Sequence, residues 1–137
     1  MARIMAIDYG TKRTGIAVSD PLQIIATGLD TVATHDLFDF LERYFKEEEV
    51  ETIVIGEPLH PDGQPAQIAH LVIGFERKIR KLYPDKTVLL QDERYTSQEA
   101  KAIILQSGAK KKKRREKGLV DKISAVLILQ EYMEQHR

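Results

Sequence analysis

Three acidic residues, Asp8, Glu93 and Asp121, each lie where a strand or helix is predicted to begin or end. Asp8 follows the run Ile4-Met5-Ala6-Ile7, which is short, apolar and followed by a glycine-containing turn, as is typical of a strand. An ionised carboxylate among apolar neighbours is costly to bury without a partner. Packing alone therefore explains Asp8 poorly, and the residue is a candidate for chemistry.

Carboxylates that converge on one place repel each other unless a positive charge lies between them. A hard divalent cation such as Mg²⁺ binds a few carboxylates together with waters and phosphate oxygens. Two such ions ~3.5–4 Å apart would permit in-line hydrolysis of a phosphodiester by activated water. If Asp8, Glu93 and Asp121 meet in the fold, the sequence predicts a metal site suited to phosphoryl chemistry.

Each acid also has an ordinary structural interpretation, which stays open at this level. Asp8 could close its strand as an Asx-turn residue. Asp121 could be an acidic residue favoured by the dipole at the start of a helix. Glu93 could pair with its neighbour Arg94.

Basic residues lie close in sequence to all three acids. They could bind phosphates through charge rather than base identity, although a solvated basic surface is the simpler interpretation. Tyr9 and Tyr95 flank the acids, where packing and base stacking are both open. The candidate substrate-binding residues are Lys12, Arg13, Arg94, Lys110, Lys111, Lys112, Lys113, Arg114 and Arg115.

The elements that must position these residues are predicted from periodicity and turn residues. Gly10 and Gly15 are expected to give the first hairpin its turn, and Thr34 is a candidate N-cap. The predicted strands after that hairpin are 24–32, 52–56 and 88–90, and the predicted helices are 36–49, 67–82, 96–108 and about 120–134.

This order predicts an α/β fold with a five-stranded mixed sheet, three antiparallel strands first and then two parallel ones, flanked by helices. The carboxyl ends of parallel strands lie at one edge, where ligand sites form in such folds. Asp121 shares a helical stripe with Ser124, Ala125, Ile128 and Tyr132, so that stripe is predicted to face the sheet.

Composition narrows the class of protein. The chain has 137 residues, 42% hydrophobic and 31% charged, a formal net charge of zero and no cysteine. These values predict one soluble globular domain without a disulfide framework, and the zero net charge argues against a uniformly basic nucleic-acid binder. No signal-peptide pattern is present, which predicts a cytoplasmic protein. We expect the protein to be a monomer or a weak homodimer. The spacing from Gly10 to Gly15 is that of a P-loop, but Ile16-Ala17 follows where Lys-Ser/Thr is required.

Four motifs together resemble the YqgF-type, Holliday-junction-resolvase-like pre-16S rRNA nuclease family of bacteria. They are the stretch from Asp8 to Asp20, Ile55-Gly56-Glu57-Pro58-Leu59 with Asp62-Gly63, Asp92-Glu93-Arg94 with Thr96, and Val120-Asp121 with Leu127-Ile128-Leu129-Gln130. The resemblance implies that residues 1–137 form a single RNase H-like nuclease domain. It further implies that Asp8, Glu93 and Asp121 bind Mg²⁺ or Mn²⁺ and that the substrate is structured RNA, processed at the 5′ end of pre-16S rRNA.

Three other functions compete with this expectation. A resolvase acting on branched DNA would use the same acids. A nucleotide-dependent phosphotransferase is another alternative, because the Asp8-x-Gly10 hairpin also resembles the phosphate-binding hairpin of sugar kinases and actin-like ATPases. Those proteins close two domains around ATP. A non-catalytic RNA-binding module for ribosome assembly would carry the acids without using them.

Overall fold

The computed structural model describes residues 2–58, 67–92 and 117–136. The predictions made for Glu93, Arg94, Tyr95, the helix at 96–108 and the basic run 110–115 lie outside these residues.

Five strands form one mixed sheet in the order β3-β2-β1-β4-β5. The first three are antiparallel neighbours, and β4 runs parallel to both β1 and β5. The predicted α/β fold, with three antiparallel strands followed by two parallel ones, is therefore confirmed. The strands are β1 (Arg3–Asp8), β2 (Arg13–Ser19), β3 (Ala26–Ala33), β4 (Val50–Glu57) and β5 (Thr87–Asp92).

Helices cover both faces of the sheet. Within the described ranges these are α1 (Leu37–Glu47), α2 (Ala69–Leu82) and α3 (Lys117–Gln135), with a short 3-10 turn, Thr34–Asp36, before α1. Helices α1 and α2 pack on one face and α3 on the other. None of the helices in the described ranges is long and apolar enough to cross a membrane.

The alternation of side chains along each strand divides the core into two layers. Met5 and Ile7 pack with the first two helices, whereas Ile4 and Ala6 pack with α3. Asp8 is two positions beyond Ala6, so its side chain projects on the α3 face of the sheet. The strand pattern therefore directs Asp8 toward the helix that carries Asp121.

Small residues let α3 approach the sheet closely. Ala6 and Ala17 are fully buried beneath it, and Ser124 and Ala125 are fully buried on the helix itself. A Cβ added at Gly15 would lie 2.1 Å from the backbone oxygen of Asp121. The predicted stripe on the last helix does face the sheet, and it extends to the buried Ile128 and the partly buried Tyr132.

Several element boundaries differ from the predicted ones. Strand β3 begins at Ala26 rather than at Ile24, because the amides of Ile24 and Ile25 donate to the Asp20 carboxylate instead of entering the strand. Helix α3 is already formed at Lys117, so Asp121 lies inside the helix and not at its first residue.

The assignment of Thr34 as an N-cap was wrong. The residue before α1 is Asp36, and its side chain makes no capping bond. The Thr34 hydroxyl is used elsewhere, because it donates to the carbonyl of Gly10 at 2.6 Å.

Candidate active site

In the candidate site, Gly15 lies beside both Asp8 and the backbone of Asp121. Asp8 and Gly15 are directly paired between β1 and β2. Directly paired residues of antiparallel strands present their side chains on the same face. The face of Gly15 is covered by the backbone carbonyl of Asp121, in the space a Cβ would fill. The structure thus brings two of the three predicted acids to one place.

Gly15 is therefore needed for space and not for a turn. The prediction that it helps to reverse the hairpin was wrong, because Gly15 lies within β2 and pairs with both Asp8 and Thr31. A side chain at this position would push the backbone of α3 away from the sheet.

Arg13 forms an ion pair with Asp121. Its Nε donates to Asp121 Oδ2 at 3.1 Å, with the Arg13 side chain 40% exposed and that of Asp121 23% exposed. Arg13 is two residues before Gly15 in β2, so both residues lie on the face that α3 covers. A basic residue predicted to bind substrate is therefore in contact with a predicted metal ligand.

The turn that carries Lys12 is hydrogen-bonded to Thr34, the residue that follows β3. The amide of Thr34 donates to the carbonyl of Lys12 at 2.9 Å. The Thr34 hydroxyl also lies 3.0 Å from the hydroxyl of Thr14, which is fully buried. These bonds hold the hairpin turn in place while the Lys12 side chain remains exposed.

We expect Thr34→Val to destabilise the protein by about 1–3 kcal/mol, because it leaves the buried Thr14 hydroxyl and the Gly10 carbonyl without this partner. Urea unfolding followed by circular dichroism would measure the change. Thr27→Val, at an exposed position on β3, is the matched control and should stay within about 0.5 kcal/mol of wild type. Equal stability of the two variants would contradict the assigned role of Thr34.

Two other residues of the opening motif have structural roles. The Tyr9 ring stacks on Phe75 at a centroid distance of 4.7 Å, so of the two interpretations left open for Tyr9 the structure supports packing. Asp20 is at the far end of β2, where the amide of Ile25, with those of Ile24 and Leu22, holds the pKa of its carboxyl below the usual value. It organises the turn between β2 and β3 and takes no part in the candidate site.

The residues in place fit a hard divalent cation only in part. Asp8 and Asp121 carry carboxylate oxygens, the donors that Mg²⁺ and Mn²⁺ prefer, and Gly15 is adjacent both to Asp8 and to the backbone of Asp121. Among residues 2–58, 67–92 and 117–136, no three acidic or histidine side chains are placed to hold a metal ion. Glu93, the third predicted ligand, follows the last residue of β5 in sequence and is outside those ranges.

A surface cleft of about 670 Å³ lies away from these acids, between β3 and α1. Its lining includes Asp30, Asp39, Phe40 and Arg43, and it contains none of the predicted site residues. The candidate site is therefore defined by the paired acids at the sheet edge, not by this cleft.

The fold identifies the class of protein first. The chain superposes on a solved structure of T. thermophilus RuvC in complex with Holliday junction substrate, with a TM-score of 0.58, covering 99% of this chain and 96% of that one. Sequence identity is 13%, so this likeness shows the fold alone, and the fold is RNase H-like as expected.

The particular family follows from sequence. A family model described as "RuvX: Holliday junction resolvase" matches residues 2–135, and the chain belongs to that family. A relative from Flavobacterium johnsoniae is 50% identical over the whole chain and 99% of its own length, and one from Bacteroides fragilis is 51% identical over the same shares. Both relatives are named "Putative pre-16S rRNA nuclease". The predicted membership of a nuclease family is confirmed.

Proposed function

We propose that this chain is a metal-dependent nuclease that hydrolyses phosphodiester bonds, with Asp8, Glu93 and Asp121 as its catalytic carboxylates. The observation that best supports the proposal is the meeting of Asp8 and Asp121 across Gly15, on one face of the sheet. The inclusion of Glu93 rests on its position in sequence, directly after β5.

In this proposal the acids hold Mg²⁺ or Mn²⁺ and the basic residues hold the nucleic acid. When bound, the ion supplies Lewis-acid stabilisation of the negative charge that develops on the reacting phosphate. Lys12 is exposed in the hairpin turn, and Arg13, the first residue of β2, is 40% exposed and contacts Asp121, so we expect both to contact the phosphate backbone. Sequence alone supports a similar role for Arg94 and for the run 110–115.

For the substrate, we propose structured RNA and specifically the 5′ end of pre-16S rRNA, which places the chain in ribosome biogenesis in the cytoplasm. Support comes from the names of relatives that are about half identical over their whole length. Branched DNA is the second candidate, because the matching family model is described as a Holliday junction resolvase. Both polymers present the same phosphates, and they differ in helix shape and in the 2′-OH of RNA.

Metal removal tests the proposed chemistry. We expect the purified chain to cleave an RNA that contains the 5′ leader of 16S rRNA when Mg²⁺ or Mn²⁺ is present, and to lose cleavage in EDTA. Restoring either metal in excess of the chelator should restore cleavage, because the acids bind the ion reversibly. Product lengths on a denaturing gel would report both activity and position.

A four-way DNA junction of matched length, assayed in parallel, would decide between the substrates. Preferential cutting of the RNA supports pre-16S rRNA processing, and preferential cutting of the junction supports the second candidate. Cleavage that persists in EDTA would contradict metal dependence. ATP turnover without any nuclease activity would contradict both candidates.

A further inference from the structure

We propose that Arg13 is a built-in counter-ion for Asp121, which lowers the metal affinity of this carboxylate until a phosphate of the nucleic acid attracts the guanidinium. The inference rests on the proposed function, because it concerns how the same site acquires its metal. It assigns Arg13 a role beyond holding substrate: it makes metal binding and nucleic-acid binding depend on each other.

The geometry supports this role because only the side chains need to move. The backbone of Asp121 is held against Gly15, and Arg13 is fixed two residues earlier on the same face of β2. A rotation of the Arg13 side chain would free Asp121 Oδ2 without any change in the sheet or in α3.

The hydrogen bonding leaves Arg13 able to bind a second anion. The Nε of Arg13 donates to Asp121 Oδ2, and the two Nη groups take no part in that bond. The Arg13 side chain is 40% exposed, so an anion can approach it from solvent. A guanidinium group can bind a phosphate through two parallel hydrogen bonds. The bond from Nε to Asp121 is a single one, so a phosphate could offer Arg13 a stronger partner than Asp121 does.

Charge determines the direction of the effect. A guanidinium in contact with a ligand carboxylate repels an incoming dication and competes with it for the same oxygen. A phosphate brought beside Arg13 offers the guanidinium another partner and leaves the Asp121 carboxylate to the metal ion. Binding of metal and nucleic acid is then positively coupled, and by linkage each ligand raises the affinity for the other by the same factor.

Titration with Mn²⁺ alone tests the first half of the proposal, with free Mn²⁺ followed by its electron paramagnetic resonance signal. We expect Arg13→Gln to bind Mn²⁺ at least about fivefold more tightly than wild type in the absence of nucleic acid, since a repulsive charge near the ion is removed. Arg43→Gln removes one positive charge from an exposed position on α1 and should match wild type. Weaker or unchanged Mn²⁺ affinity in Arg13→Gln would overturn the proposal.

The second half is tested by repeating the titrations with a short, nuclease-resistant RNA duplex that carries 2′-O-methyl and phosphorothioate groups. The duplex should tighten Mn²⁺ binding by a larger factor in wild type than in Arg13→Gln, and equal factors would overturn the coupling. If Arg13→Gln does not fold in urea controls, Arg13→Met serves instead, because it keeps a long side chain and removes the positive charge. Its Mn²⁺ affinity should exceed that of wild type, and an equal or lower affinity would overturn the proposal.

A separate variant distinguishes the failure of this inference from the failure of the proposed function. If wild type does not bind Mn²⁺, or binds it equally well after Asp8→Asn, the proposed metal site is wrong. If Asp8-dependent binding is present and Arg13→Gln leaves it unchanged, the site stands and only the role of Arg13 is wrong.

Discussion

Asp8→Asn is expected to reduce cleavage about 10³-fold or more while leaving the protein folded, because asparagine keeps the shape of the side chain and removes its negative charge. Asp8 ends β1 and its side chain projects on the face that carries Asp121, so the variant alters the centre of the candidate site. Initial rates on the RNA and junction substrates, with Mg²⁺ or Mn²⁺ in excess, would measure the loss.

Asp30→Asn is the matched control, since Asp30 is an exposed acid on β3 outside the candidate site, and it should retain wild-type rates. RNA binding measured without cleavage should remain within about threefold of wild type in Asp8→Asn, because affinity for the backbone comes chiefly from the basic residues. Unchanged cleavage in Asp8→Asn would contradict the catalytic role and favour a non-catalytic RNA-binding module.

The sheet could be predicted because the sequences of its central strands are typical of buried strands. The run Ile53-Val54-Ile55 is apolar at every position, as a strand buried on both faces requires, and all three residues are fully buried in β4. The alternating helices and strands then determine which strands are parallel, and the shared edge of their carboxyl ends follows. Local pattern and tertiary packing agree for these elements.

Boundaries were missed where another acceptor took the hydrogen bond that the predicted element would have made. Thr34 has the side chain of an N-cap, but its hydroxyl bonds to Gly10, a residue 24 positions earlier that only the folded sheet brings near. Ile24 and Ile25 have the composition of a strand, but the Asp20 carboxylate binds their amides. In both cases a competing acceptor decided the outcome, and no periodicity reveals such an acceptor.

In the candidate site, too, some features could be predicted from local sequence and others could not. The position of Asp8 at a strand end could be read from the apolar run before it. The ion pair between Arg13 and Asp121 joins residues 108 positions apart, so no local spacing could indicate it. The spatial role of Gly15 was hidden for the same reason, because a glycine in a hairpin suggests a turn until the partner that fills its face is known.

Gly15→Ala is expected to have the largest effect on stability, because the new Cβ would lie 2.1 Å from the backbone oxygen of Asp121 and 2.4 Å from its carbonyl carbon. Both atoms belong to the backbone of a packed helix, so relief requires α3 to move away from β2. We expect a loss of about 3 kcal/mol or more, at the upper end of what an overpacked core costs. Urea unfolding would measure it.

Gly74→Ala is the control that separates loss of space from loss of glycine. A Cβ at Gly74 has no atom within 4 Å, and the residue is exposed in the middle of α2, so alanine should stabilise the protein by about 0.5–1 kcal/mol. The two glycines therefore predict opposite signs for the same substitution. A Gly15→Ala variant as stable and as active as wild type would mean that the Asp121 backbone does not lie against β2, and the meeting of Asp8 with Asp121 would be lost with it.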